Sequence, residues 1–341
     1  MDPRLTICIA TYNRAGYIGQ TLDSVIGQLP KDVELLVVDG ASPDDTAAVV
    51  ASRAGPAPQL RYIREDVNSG VDADYDKAVG YARGQYCWLM TDDDVLEPGA
   101  IDRVLQALEH NPDLVVVNAC TLDANLTQVL SERLIDIAED RVFHGDTPGV
   151  FGLTANYLSF IGGVVVRRGL WMQRERKRYY GSLFIHLGVI FQAPIDGRVE
   201  VIAEPMISIR YGNAMWSARG FEVWMLKWPA LIWGFDAVPA ACKLGVTCLE
   251  PWRDPRRLLF GRAIGSYGVA EYRRFIAGRA SPGMKLLARA IAIAPGHLVN
   301  AACGLYCLLR TPKHPATAFD LARSRFATAP SRWAQATRRA R

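Results

Sequence analysis

The chain of 341 residues contains seven cysteines, and none of them falls in paired C-x-x-C spacing. Such an odd set supports neither a disulfide framework nor a zinc cage. Cysteines such as Cys8 and Cys87, set inside apolar runs, read as small hydrophobes in a reducing cytosol. The opening Met1-Asp2-Pro3-Arg4 leads straight into a short strand pattern and lacks the long apolar stretch of a secretory signal. No G-x-G-x-x-G follows that first strand and no G-x-x-x-x-G-K-[ST] occurs, so dinucleotide and Walker-type phosphate binding are poorly supported. Charge is modest, 22% of residues with a net +4, but it is uneven. The C-terminal stretch holds Arg310, Lys313, Arg323, Arg325, Arg332, Arg338, Arg339 and Arg341 against the single acid Asp320. No interleaved aromatic pattern marks it as a nucleic-acid surface, which favours an anionic membrane face. The length exceeds one ordinary core, so two domains, or one with a long appendage, are expected.

What is present is an alternation of strand and helix patterns. Apolar runs at Leu5–Ile9, Glu34–Val38, Leu60–Ile63, Tyr86–Met90 and Leu114–Val117 alternate with helical patterns, among them 72–83 and 99–109. Such alternation predicts a parallel sheet covered on both faces, with its ligand crevice outside the carboxyl ends of the strands. Three polar clusters follow strands one, two and four: Thr11, Tyr12 and Arg14; Asp39; and Asp92-Asp93-Asp94. Adjacent carboxylates resist joint ionisation unless a cation lies among them. A hard divalent ion, Mg²⁺ or Mn²⁺, completing its shell with substrate phosphates meets that need. A solvated acidic loop, or a cap on the helix starting near Pro98, is the competing reading.

The segments ICIATYNRAGYIGQTLDSVIGQ, LLVVDGASPDDT and NSGVDADYDKAVGYARGQYCWLMTDDDVLEPGAI resemble, in order and spacing, the successive motifs of glycosyltransferase family 2. The likeness is close over about residues 4–120 and looser to about 215, and the run TDDD points to the abequosyltransferase-like branch. It implies an α/β fold of GT-A type, a Rossmann-like mixed sheet flanked by helices, with a helical C-terminal extension. By position it implies that Thr11, Tyr12, Arg14, Asp39, Asn68, Gly70 and Asp92 bind the nucleotide and that Asp93, with Asp94, holds the metal. Asp94 is alternatively a support for the loop, Asp39 a turn residue, and Asp72 a helix cap. Where family members often have D-D-G-S, this chain has Asp39-Gly40-Ala41-Ser42.

The family's usual catalytic base is the aspartate of a Glu-Asp pair, and the matching stretch, Tyr180 to Ala193, contains no acid. Its register puts His186 in that place, either as the base or as a histidine packed on an apolar helix, with Asp196 and Glu204 in reserve. Arg210, beyond a strand at Val199–Ala203 and a turn at Pro205, is the candidate diphosphate clamp or else a surface arginine. Gly162-Gly163 before Val164-Val165-Val166 resembles the family's acceptor-side strand. The expected division is 1–118 for the nucleotide-sugar half, 119–215 for the acceptor half, and 216–341 for a helical region rich in tryptophan (Trp216, Trp224, Trp228, Trp233, Trp252) and arginine. There Met284–Leu309 is apolar but interrupted by Arg289, Pro295, Gly296, His297 and Asn300. It is too broken for a spanning helix and suits a helical pair lying in the membrane interface, or a helical core.

The expectation is therefore a metal-dependent inverting transferase moving a hexosyl or deoxyhexosyl unit from a nucleotide-diphosphate donor to a saccharide hydroxyl. The acceptor implied is polyprenyl-diphosphate-linked, which places the enzyme in cell-surface polysaccharide or glycolipid assembly, cytoplasmic and peripheral on the inner face of the membrane. The alternatives are a sugar-phosphate nucleotidyltransferase and a non-catalytic nucleotide-binding scaffold.

Overall fold

The computed structural model of the chain describes residues 3–55, 57–213, 219–310 and 316–339, with side chains through 335. Trp216, Lys313 and the side chains of Arg338, Arg339 and Arg341 lie outside the described residues. Ten strands form one sheet: β1 (Leu5–Thr11), β2 (Val33–Asp39), β3 (Leu60–Arg64), β4 (Tyr86–Met90), β5 (Val95–Leu96), β6 (Leu114–Leu122), β7 (Val129–Ser131), β8 (Arg141–His144), β9 (Val164–Arg167) and β10 (Arg198–Arg210). The spatial order is β3-β2-β1-β4-β9-β6-β10-β5, with β7 on β6 and β8 on β10. Strands β3, β2, β1 and β4 are parallel, as the alternation predicts. Their apolar runs are continuous because helices α1 (Ile18–Ile26), α2 (Thr46–Ala54), α3 (Val71–Tyr81) and α4 (Ala100–Leu108) help to cover the sheet, and every residue of β1, β2 and β4 is buried.

The sheet is mixed rather than all parallel. Strand β9 enters antiparallel between β4 and β6. The Trp88 indole N–H donates to Gly162 O at 2.8 Å, fixing the turn that feeds β9. Gly163 in that turn lies against the Tyr157 ring, where a Cβ would collide. Strand β10 also departs from expectation: it does not stop before Pro205 but runs on to Arg210 alongside β6, with its register shifted between Ile202 and Ile207. Proline has no N–H to give a ladder, so it sits where the pairing is interrupted.

Between these strands lie α5 (Thr147–Thr154), α6 (Arg168–Gln173) and α7 (Ile185–Phe191). Every residue of α7 is buried, and Asp72 fastens its start, accepting the N–H groups of Leu183 (2.8 Å) and Ile185 (3.1 Å). Asp72 thus caps, but a helix distant in sequence rather than its own.

The chain forms two compact units, residues 1–211 with 231–246, and 212–230 with 247–341. The expected division at 118/119 falls inside β6, so both transferase halves share one sheet. The later division comes at 211/212, and 231–246 returns to the first unit, where Phe235 packs on Phe151 and Phe191 with ring centroids 6.1 Å from each. The second unit is helical, with Phe221 stacked on Tyr267 at 5.0 Å inside its core.

Candidate active site

Parallel pairing brings the expected clusters to one end of the sheet. Thr11 lies opposite Asp39 in the β1–β2 register, and Ile9 lies opposite Met90 in the β1–β4 register, so the loops after β1, β2 and β4 open side by side. The first two are stitched together. Asn13 N–H donates to Ser42 Oγ (2.9 Å), Arg14 N–H to Thr46 Oγ1 (3.0 Å) and Ala15 N–H to Asp44 Oδ2 (2.9 Å). Two non-glycine residues, Asn13 (φ 58°) and Ala41 (φ 63°), adopt the left-handed conformation in these loops. Ala41, with a Cβ and no polar side chain to compensate, bears the greater strain.

Asp39 is fully buried and its oxygens have partners: Oδ1 accepts from Ser42 N–H (2.8 Å) and Oδ2 from the Tyr62 hydroxyl (2.5 Å). Burial, reinforced by that carboxylate, pushes the Tyr62 hydroxyl well above its ordinary range. Thr11 is buried and Tyr12 half-buried at the mouth of the crevice. Asn68 and Gly70 form an exposed turn before α3, with Gly70 N–H donating to Asn68 Oδ1 at 2.8 Å and Gly70 at φ 87°. Their link to the site runs through Asp74, which accepts from the Ser69 hydroxyl (2.6 Å) and lies directly against Gly40.

On the acidic side, Arg14 bridges two carboxylates: Nε lies 3.4 Å from Asp92 Oδ1, and Nη2 3.3 Å from Asp93 Oδ2. Burial, together with the charge of Asp93, lifts Asp92 to a pKa of about 7. The Thr11 hydroxyl is close enough to favour the ionised Asp92, yet lies outside hydrogen-bond geometry. Burial and Asp93 likewise raise Asp94 well above the carboxylate range.

The oxygens of Asp94 are committed to the fold. Oδ1 accepts Arg210 N–H at 2.7 Å and Oδ2 accepts the Thr91 hydroxyl, tying the turn after β4 to the end of β10. Asp94 therefore supports the loop, the second of its two expected roles. Arg210 is likewise committed to the fold. The residue is 6% exposed and its guanidinium is directed into the turn, donating from Nε to Asp93 O (2.9 Å), from Nη1 to Ala124 O (2.7 Å) and from Nη2 to Gln20 Oε1 (2.5 Å). These contacts make it a brace for the acidic turn. The Tyr17 ring lies beneath both guanidiniums, 5.5 Å from Arg14 and 5.3 Å from Arg210. Little in the sequence marks Tyr17, Gln20, Tyr62 and Asp74 as site residues. The only signal there was the proximity of Tyr17 and Gln20 to Arg14 in the same motif.

His186 is not on the crevice wall. The ring is 1% exposed within α7, with Nε2 2.7 Å from Leu158 O and no hydrogen bond at Nδ1, and burial lowers its pKa to about 4. A ring held neutral in the core neither meets an acceptor hydroxyl nor takes its proton, which removes the base assignment. Asp196 precedes β10, which runs in the same direction as β4 and β6, so it lies at the end of the sheet opposite the crevice. Because the folded pKa of His186 lies below the ordinary value of 6.5, its contribution to stability is complete above that value and is lost as pH falls through about 4. The loss amounts to about 3 kcal/mol. His186→Phe is expected to remove this acid-side slope in urea midpoints measured against pH. Transfer should fall less than about tenfold, against about 10²–10⁴-fold for loss of a general base.

Residues 6–141 match the family model described as Glycosyl transferase family 2. The chain carries a glycosyltransferase family 2 domain. Among curated relatives, the abequosyltransferase RfbV of Salmonella typhimurium is 23% identical over 231 residues, covering 63% of this chain and 69% of that one. The succinoglycan biosynthesis protein ExoO of Rhizobium meliloti is 31% identical over 133 residues, 38% of each chain. The chondroitin synthase of Pasteurella multocida is 31% identical over 123 residues, covering 36% of this chain and 13% of that one. The match thus spans much less than two thirds of the last two relatives. In fold, the glycosyltransferase is similar to Staphylococcus aureus TarS 1–349 in complex with UDP, with a TM-score of 0.57 at 17% identity over 99% of this chain and 91% of that one. It is also similar to a mannosyltransferase of Pyrobaculum calidifontis in complex with GDP-Man and Mn²⁺, with a TM-score of 0.54 at 17% identity over 100% and 88%. The glycosyltransferase fold is of GT-A type.

Proposed function

We propose that this glycosyltransferase is a metal-dependent inverting enzyme that moves a hexosyl or deoxyhexosyl unit from a nucleotide-diphosphate donor to a saccharide hydroxyl. The observation that carries this reading is the pair Asp92 and Asp93. They lie together at the end of β4, Asp93 buried and Asp92 half-buried, beside the loop that follows β1, and mutual repulsion favours a proton on one of them. These residues suit a divalent cation. Their donors are all oxygen, the chemistry of Mg²⁺ and Mn²⁺, and ions of this kind are held by one or two carboxylates and completed by substrate phosphates. Among the described residues no group of three or more histidine, cysteine, aspartate or glutamate side chains is arranged to hold an ion, so the rest of the shell would come from the donor's phosphates and water.

Asp93 would hold the ion, with Asp94 and Arg210 keeping its turn in place. Thr11, Tyr12, Asp39 and Asp92 would line the nucleotide, with the Asn68–Gly70 turn behind them. Arg14, already between the two carboxylates, is placed to move its guanidinium onto a donor phosphate. When bound, the ion neutralises charge on the departing diphosphate. Relatives named as an abequosyltransferase and a succinoglycan biosynthesis protein support a role in polysaccharide assembly, for which the acceptor we propose is a lipid-linked saccharide. The enzyme would then work peripherally on the inner face of the cell membrane.

The test is a screen of nucleotide sugars with Mg²⁺, Mn²⁺ or a chelator, reading nucleoside diphosphate release. Release that depends on the ion and on an added acceptor is expected. Pyrophosphate release would make the chain a nucleotidyltransferase, and nucleotide binding without turnover on any acceptor would make it a scaffold.

A further inference from the structure

Helices Pro282–Ile293 and Gly296–Leu309 of the second unit each carry two apolar faces. The inner faces are committed to packing. Ala288, Ile291 and Ala292 pack in the core with Trp252 and Tyr267, while Gly304 lies directly against the backbone of Ser331. Asn300 fastens the second helix, donating to Ala263 O (3.2 Å) and Leu321 O (3.0 Å) and accepting from Thr328 N–H (3.0 Å). The outer faces should then be polar, as on a surface helix in water. They are not. Leu286 (75% exposed) and Ile293 (64%) flank the exposed Ala290 on the first helix. Leu298 (68%), Leu305 (52%) and Leu309 (77%) follow on the second, with the exposed Ala302 between. These spacings keep each set on one side of its helix.

Two further observations say what covers this face. The first is charge. From the sequence, residues 212–230 and 247–341 hold nineteen lysines and arginines against five acids, whereas the other unit holds twenty against thirty. The second is a cleft of about 400 Å³ beside the stripe, lined by Val269, Tyr272, Arg273, Arg289 and Ile293. It sets two guanidiniums next to apolar side chains, which suits a lipid phosphate above its acyl chains.

We infer that the outer faces of these two helices dock the chain on an anionic lipid bilayer, the leucines entering the acyl boundary while Arg273 and Arg289 hold a headgroup phosphate. The inference rests on the peripheral placement proposed above and specifies its surface. The helices lie in the interface and do not cross it. Among the described residues no single helix is long and apolar enough to span, the pair bends by 96°, and its inner faces already belong to protein.

The experiment is co-sedimentation of the full chain with phosphatidylcholine or phosphatidylglycerol vesicles. Wild type is expected to partition strongly onto phosphatidylglycerol. The variant carrying Leu298→Ser, Leu305→Ser and Leu309→Ser, all exposed positions, should bind at least about tenfold more weakly with an unchanged unfolding midpoint. Arg273→Gln with Arg289→Gln should abolish the preference for phosphatidylglycerol. A serine variant that partitions like wild type overturns the docking face alone. A stripe that pairs with a second copy also overturns the docking face alone, whereas a wild-type chain that ignores both vesicles overturns the peripheral placement as well.

Discussion

Asp93→Asn is expected to lower the transfer rate about 10³-fold, roughly 4 kcal/mol of transition-state stabilisation, and to abolish its dependence on Mg²⁺ or Mn²⁺. The fold should survive the change. The negative charge of Asp93 is a cause of the raised pKa of both Asp92 and Asp94, so neutralising it removes repulsion from a buried cluster. Against this the cluster gives up the 3.3 Å ion pair with Arg14, whose guanidinium keeps its contact with Asp92. Thermal unfolding without added ion should therefore be unchanged or shifted slightly upward. The stabilisation that Mn²⁺ gives the wild type should disappear. If the variant kept its response to Mn²⁺ and most of its rate, the ligand role would pass to Asp92. The same experiment on Asp94→Asn should instead give an enzyme that responds to the ion but unfolds more easily, because its carboxylate holds Arg210 N–H and the Thr91 hydroxyl.

The parts of the fold that could be read from the sequence are those whose burial leaves a local signature. Strands β1, β2 and β4 show as unbroken apolar runs because both faces of the sheet are covered, and parallel order then fixes where Thr11, Asp39 and the three aspartates meet. Strand β9 carries the same Val-Val-Val pattern in either direction, so its antiparallel insertion could not be read locally. Pro205 reads as a turn because local rules do not foresee a ladder that shifts register and resumes. His186 shows a different limit. Position in a motif gives the helix on which a residue lies, but α7 is buried all round and so has no face left for an acceptor. The guanidinium of Arg210 raises the same difficulty, since residue type states what a group can bond and not whether the fold has already taken it.

Arg210→Ala is expected to cost about 4 kcal/mol of stability, the largest effect foreseen for a side chain outside the substrate's reach. The change strips donors from Asp93 O, Ala124 O and Gln20 Oε1, acceptors that the guanidinium contacts at 2.9, 2.7 and 2.5 Å, and it removes a cation from the Tyr17 ring. Three acceptors lost together on one turn do not add simply, so the figure lies below three separate penalties. Arg210→Lys restores the charge but not the planar fork, and should recover less than half of the loss. Urea unfolding reads these changes directly. Donor KM, measured where the variant is folded, separates brace from clamp. The brace predicts that rate and KM deteriorate only as the acidic turn loosens, in step with stability and with weakened binding of the ion. A clamp predicts a donor KM raised tenfold or more at an unchanged urea midpoint. That outcome would return Arg210 to the diphosphate, and its contacts to Asp93 O and Ala124 O would then be bonds that the donor displaces.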